Sequence, residues 1–167
     1  RRTTGASVGL DKSFSEHTKG SVQYQFEQNK CEDIQVAAQL TPEDLQRVTV
    51  GSFSPSLIRD SRDDPFNPAS GSVNGIIIKD GAKILGSEVQ FVKMTLQSSW
   101  YRSLSKWLVL AISGRAGVAQ KFGETEVLHC SERFFLGGRS TIRGYARDTV
   151  GVLGQTLTPE LIPTGGN

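Results

Sequence analysis

Long hydrophobic runs are what this 167-residue sequence most plainly lacks. The longest uninterrupted one, Trp107 to Ile112, covers six residues, where a membrane-crossing helix needs roughly 20. A helical span is excluded. Charge of one sign is missing too: 19 Lys and Arg stand against 17 Asp and Glu, a net of +2 with no dense basic run, so no nucleic-acid partner is expected. The two cysteines, Cys31 and Cys130, are too scattered for a zinc pattern and leave one disulfide or none. There is no G-x-S-x-G elbow and no phosphate-cradling P-loop, and His17 and His129 have no acid and nucleophile around them. His129 beside Cys130 reads as a pair of exposed loop residues rather than a metal site. No catalytic residue, cofactor or metal is expected, and the chain does not read as an enzyme. Arg1-Arg2-Thr3-Thr4 has neither a start methionine nor the apolar core of a signal peptide, so the expectation is a mature or excised chain.

What is present is 37% apolar residues and 18 glycines, enough hydrophobicity to exclude a disordered tail. The apolar residues recur with period two, the signature of strands. Ala6, Val8 and Leu10 alternate with Ser7, Gly9 and Asp11; Val22, Tyr24 and Phe26 alternate with Gln23, Gln25 and Glu27. Further on, Val92, Met94 and Leu96 share one parity and Lys93, Thr95 and Gln97 the other. Leu108, Leu110 and Ile112 then lie opposite Ser113 and Arg115. The chain reads as all-β, with about six antiparallel strands at 3–14, 20–30, 47–60, 71–80, 87–101 and 107–119, then a long loop over 120–167. A parity change near Gly51 to Phe53 predicts a β-bulge. Thr41-Pro42-Glu43-Asp44 has the chemistry of a short surface helix start.

Short connections alternate with longer ones, as in a membrane β-barrel with short periplasmic turns and long external loops. Alternation alone equally fits a soluble β-sandwich binding module. Segments of ten or more residues, and Trp100, Tyr101 and Trp107 around one turn, favour a transmembrane barrel with an interfacial aromatic girdle. Val92, Met94, Leu96, Leu108, Leu110 and Ile112 are then expected to face lipid, with Leu110 near midplane. Lys93, Thr95, Gln97, Ser113 and Arg115 are expected to face the lumen.

Two stretches are more specific. Asp60-Ser61-Arg62-Asp63-Asp64-Pro65-Phe66-Asn67-Pro68, closing at Gly71, reads as a rigid turn: Pro65 and Pro68 fix backbone angles, Asp63 or Asp64 can accept local amides, and Asp60 can pair with Arg62. It lacks the spacing and terminal glutamate of a calcium loop. The second runs from Glu132 through Arg133, Phe134, Phe135, Leu136, Gly137 and Gly138 to Arg143-Gly144-Tyr145. A glycine-rich loop this apolar is poorly placed in open water and should dock against something.

The E-R-F-F-x-G-G-x-x-x-x-R-G-Y arrangement at Glu132 to Tyr145 resembles the long sixth external loop of the outer membrane protein 85 superfamily, which includes BamA- and TamA-like insertases, bacterial surface antigens and two-partner-secretion transporters. The D-x-R-D-x-P-x-x-P-x-x-G arrangement at Asp60 to Gly71 is similar to a periplasmic turn of the same barrels. The resemblance runs from about Val48 to the end. It implies a 16-stranded barrel, of which this chain is a central slice with strands six to eleven. Its long loop would fold back into the lumen, and soluble POTRA repeats and flanking strands would lie outside this sequence. It implies an arginine, here Arg143, paired with acids on strands after the loop; Glu132 and Asp148 are the local alternatives.

The function implied is that of a non-enzymatic assembly factor of the bacterial outer membrane. Its partners would be outer-membrane lipid, unfolded β-barrel clients and accessory lipoproteins or an inner-membrane partner. A two-partner-secretion translocator and a passive porin are the alternatives. Cys31 and Cys130 would share the external end, where an oxidising compartment permits a bridge.

Overall fold

In a computed structural model, which describes residues 2–30, 47–125, 128–129, 131–139, 141–145, 149–151 and 165–166, the period-two segments form β1 (Arg2–Ser15), β2 (Thr18–Lys30), β3 (Val48–Asp60), β4 (Ser70–Gly81), β5 (Phe91–Ser105) and β6 (Leu108–Lys121). Each strand pairs antiparallel with the next in one six-stranded sheet, so β1 and β6 are its edges and the sheet is not closed. A sandwich would need a second packed layer. Among the described residues the only helical piece is a 3-10 turn, Lys83–Leu85. The expected helix start at 41–44 and both cysteines lie outside the described residues.

Cross-strand partners put their side chains on the same face, and the register therefore sorts the sheet. Val92, Met94 and Leu96 oppose Gln120, Val118 and Ala116, with Trp100 opposite Ile112 and Arg102 opposite Leu110. Lys93, Thr95, Gln97 and Ser99 oppose Ala119, Gly117, Arg115 and Ser113 on the other face. That second face is polar: Ser99 and Ser113 share a 2.8 Å hydrogen bond, and Arg115 donates to Gln97. Leu108 sits beyond a register shift between Ser103 and Ser105.

Several expectations are corrected. No bulge interrupts β3, whose register against β2 runs unbroken from Val48 to Arg59. The parity looks irregular there because Val50, Ser52 and Ser54 are all buried on one face while Phe53 and Leu57 stand on the other. The fifth strand begins and ends four residues later than the expected 87–101. Residues before Phe91 bond elsewhere: Glu88 donates its amide to the Thr49 carbonyl, and Gln90 donates its amide to Thr125 Oγ1. Tyr101 does not share the face of Trp100, since neighbours on a strand point to opposite sides. Trp107 occupies the two-residue turn itself and is 96% exposed.

The apolar core lies at the loop end of the sheet. Val50, Phe91, Ala119 and Leu128 form it, with Val48, Val89 and Phe134 packed against them. Leu128 and Phe134 come from the chain after β6, which covers the polar face and makes it the loop face of the sheet.

Leu110 is the third residue of β6 and so lies near the turn end rather than at midplane, where the cost of a charge is highest. The sharper test uses Met94, between Ile78 and Val118. In the complete barrel, Met94→Arg is expected to lower stability in a denaturant titration by about 2–4 kcal/mol. Ser113→Arg on the loop face should cost much less, and equal losses would reverse the assignment of faces.

Candidate functional site: a loop docked on the sheet

Lys79 of β4 and Lys93 of β5 are direct cross-strand partners on the loop face. Two like charges so placed repel. Glu132, from the chain beyond β6, resolves the conflict: its Oε1 accepts from Lys79 Nζ at 2.7 Å, and its Oε2 lies 3.7 Å from Lys93 Nζ. The glutamate is only 2% exposed. Each ammonium also lies over a ring, Lys79 at 5.7 Å from the Phe91 centroid and Lys93 at 4.6 Å from that of Phe134, a favourable placement for a cation.

Phe134 can reach this position because β6 has a glycine beneath it. A β-carbon built at Gly117 would stand 2.5 Å from the ring, closer than atoms pack, so the bare backbone is what admits the aromatic. The loop is further held by paired amide bonds between Phe134 and Gly166, by Arg133 Nε donating to the Leu128 carbonyl at 2.7 Å, and by the Val150 amide donating to the Leu136 carbonyl. Phe135 packs its ring against Gly165. Gly137 and Gly138 have φ of 116° and 97°, and Thr141 clasps Gly137 by accepting from its amide and donating to its carbonyl.

His129, expected as an exposed loop residue, is buried, with Nδ1 2.9 Å from Ser131 Oγ. Residues 128 and 131–134, folded onto the sheet, are what cover it. Arg143-Gly144-Tyr145 behaves oppositely. Arg143 and Tyr145 are exposed, and among the described residues no carboxylate pairs with Arg143. The local pairing with Glu132 is thus corrected, because the two lysines hold that carboxylate; Asp148 lies outside the described residues. Lys79, Phe91 and Gly117 were not singled out from the sequence. Only the β4–β5 and β5–β6 registers bring them under the loop, and register is not written in any one segment.

At the other end of the sheet, the turn between β3 and β4 is organised by its own side chains. Arg62 grips Asp60 with Nη2 at 2.7 Å and Nε at 2.9 Å, and its Nη1 donates to the Pro65 carbonyl. Asp63 Oδ1 accepts from the amides of Asp64, Ala69 and Ser70, and Asp64 accepts from Phe66. Pro68 falls inside the loop that Asp63 closes. Gly71 has φ of 100°, and a β-carbon there would strike the Ser61 carbonyl. Phe66, at the tip, is 98% exposed.

Two outcomes follow from this geometry. Glu132→Gln removes the charge that offsets the facing lysines and is expected to cost about 3 kcal/mol, read as faster protease cleavage within 125–145 of the folded barrel; unchanged cleavage would show that the loop is held by its apolar contacts. At the turn, the Ser70 amide, against the opposing effect of burial and with help from the Asp64 and Ala69 amides, holds the Asp63 carboxyl below the usual carboxylate value. A lowered folded-state pKa contributes stability above the unfolded value of about 3.9 that disappears as pH falls through the folded one. Amide-exchange protection at Ala69 and Ser70 should therefore be flat from neutral pH down to about 4 and fall below it, and Asp63→Ala should lack that dependence.

The comparisons with known proteins agree with this architecture. Residues 1–167 match the model of the Omp85 superfamily domain. The chain is 30% identical over 109 residues to the outer membrane protein assembly factor BamA of Neisseria meningitidis serogroup B, covering 65% of this chain and 13% of that one. It is 29% identical over 103 residues to a SAM50-like protein of Schizosaccharomyces pombe, covering 60% of this chain and 22% of the relative. Its fold matches the crystal structure of BamA from Haemophilus ducreyi lacking POTRA domains 1-3, with a TM-score of 0.71 at 20% identity over 90% of this chain and 31% of that one. The chain thus spans less than a third of each of these three proteins, and with the family model covering its whole length it belongs to the Omp85 superfamily.

Proposed function

We propose that this chain is the central wall and internal loop of a bacterial outer-membrane β-barrel that folds or inserts β-barrel client proteins, working without catalytic residues or cofactor. The observation that carries the reading is the Glu132 clamp: it fastens the loop bearing Arg143-Gly144-Tyr145 to the polar face of a sheet whose other face presents Val8, Leu10, Phe26, Leu96 and Ile112 exposed. A barrel needs this division, polar toward the lumen and apolar toward lipid. The relative from Neisseria, named as an assembly factor, supports the choice of function. Unfolded barrel chains are then the clients, lipid is the solvent of the apolar face, and accessory lipoproteins or an inner-membrane partner complete the machine.

Within this reading, Arg143 fixes the far part of the loop. Its guanidinium is permanently charged and offers a planar fork of donors, so in a closed lumen it requires carboxylates or several carbonyls around it. Flanking strands would supply them, and Gly144, with φ of 90°, turns the chain between the cation and Tyr145.

The test uses the full-length parent protein in proteoliposomes with an unfolded barrel client. Arg143→Ala is expected to cost about 3–5 kcal/mol where the pair is fully desolvated, seen as loss of loop protease protection together with loss of client folding. Arg143→Lys keeps the charge without the fork and should fall between. If both variants fold clients at the parental rate with the loop protected, the role of Arg143 is wrong. If the parent protein passes a secreted chain but folds no barrel client, the translocator reading replaces the assembly one.

A further inference from the structure

The apolar face carries a feature that neither the loop clamp nor the turn explains. Two adjacent cross-strand rows run over β3, β4, β5 and β6. One is Leu57, Ile76, Leu96 and Ala116, apolar throughout; the next, toward the turn end, is Arg59, Asn74, Ser98 and Gly114. Together they line an open groove of about 700 Å³. Its floor is low because Ala116 and Gly114 are small, and a β-carbon at Gly114 would meet nothing within 4 Å.

Most of the polar groups in this groove already have partners. Ser98 Oγ donates to Asn74 Oδ1 at 2.7 Å, Trp100 Nε1 donates to Ser98 Oγ at 2.7 Å, and Asn74 Nδ2 donates to Ser72 Oγ at 3.0 Å. Arg59 is the exception. It is exposed, and among the described residues no carboxylate pairs with it. Among the strand residues of this face, the charge at the turn end has one sign. At the turn end of this face the strands present Lys12, Arg59 and Arg102, whose row positions are fixed by Gly20, Asn74 and Leu110. The strand carboxylate on the same face is Asp80, at the opposite end beside Phe53 and Val92.

We propose that this groove is a binding site for one anionic phospholipid of the leaflet nearest the short turns, with its phosphate on Arg59 and an acyl chain lying along Leu57, Ile76, Leu96 and Ala116. The proposal rests on the membrane-barrel reading above, which makes this face lipid-exposed. Arginine suits a phosphate because its fork donates two parallel hydrogen bonds to the anion's oxygens. The apolar row begins one register step from the guanidinium, so head and chain are recognised by adjacent rows rather than by distant patches. Arg102 and Lys12 supply a cationic border that favours an anionic lipid over a zwitterionic one.

The experiment takes the full-length parent protein in nanodiscs of mixed phosphatidylglycerol and phosphatidylcholine, extracts it into mild detergent, and counts the retained lipid by native mass spectrometry. The parent is expected to keep phosphatidylglycerol in preference to phosphatidylcholine. Arg59→Gln should lower apparent affinity for phosphatidylglycerol about tenfold, the weight of one charge-assisted contact, and Arg59→Lys should restore part of it. Gly114→Leu, which fills the groove without touching the charge, should reduce retention of both lipids. Gln120→Ala, at the far end of the face, should change neither. Retention of phosphatidylglycerol by folded Arg59→Gln and Gly114→Leu at the parental level would overturn the proposal, as would no preference in the parent itself. Client folding in the same preparations separates this from the functional reading: a parent that binds the lipid but folds no client sinks the assembly role and leaves the site standing, and the converse sinks the site alone.

Discussion

The placement of the loop depends on one electrostatic conflict. Lys79 and Lys93 face each other across β4 and β5, and their repulsion is removed only when a carboxylate comes between them. Glu132 does so from outside the sheet. A buried ionic cluster of this kind adds little net stability, because taking charges out of water offsets most of their attraction. What it supplies is position. Once Glu132 is fixed, Phe134 two residues on falls over Gly117 and Lys93, Leu128 drops into the apolar cluster with Val50, Phe91 and Ala119, and His129 is buried as a consequence.

The two ends of the sheet are built on different physics, and this explains what was legible in the sequence. The turn at Asp60 to Gly71 is local: every bond that Arg62, Asp63 and Asp64 make within it reaches a residue no more than seven positions away. Reading its residue types was therefore nearly enough to draw it. The six strands were legible for a similar reason, since period two is a property of each segment by itself. The start of β5 was not, because the residues before Phe91 bond their amides to Thr49 and Thr125, partners far away in the chain. The loop was legible only as an apolar segment in need of a surface. Which surface, and through which lysines, is set by registers between strands far apart in the chain.

The faces of the sheet are as unlike as its ends. Gln23, Gln25 and Glu27 of β2 lie on the loop face with Thr95, Gln97 and Ser99 of β5, whereas Val22, Tyr24 and Phe26 lie with Met94 and Leu96. A soluble sheet buries its apolar face against a second layer and wets the polar one. Here, among the described residues, the chain after β6 covers the polar face, while the apolar face is covered only at its loop end, where the turn at Lys83–Leu85 meets Tyr24, Phe26 and Gly51. An apolar face left open over most of its length and a polar face with a protein layer are consistent together if the solvent outside is hydrocarbon and the space inside holds water.

That same solvent makes the edges decisive. Outward-pointing amides and carbonyls along β1 and β6 have no partner strand within this sheet, and in hydrocarbon each such group costs several kcal/mol. A six-stranded open sheet is therefore not a form in which these residues can sit in a bilayer; further strands must continue the ladder at both edges. The demands on the two edges differ. β6 is backed by Ala119 in the apolar cluster and by the Phe134 ring against Gly117, so its neighbour meets a strand already held in place. Neither β1 nor β2 contributes a side chain to that cluster among the described residues. At that side the backbone ladder carries the sheet, and a strand added there has to be matched by hydrogen bonds and by the apolar row of Ala6, Val8 and Leu10 rather than by a preformed core.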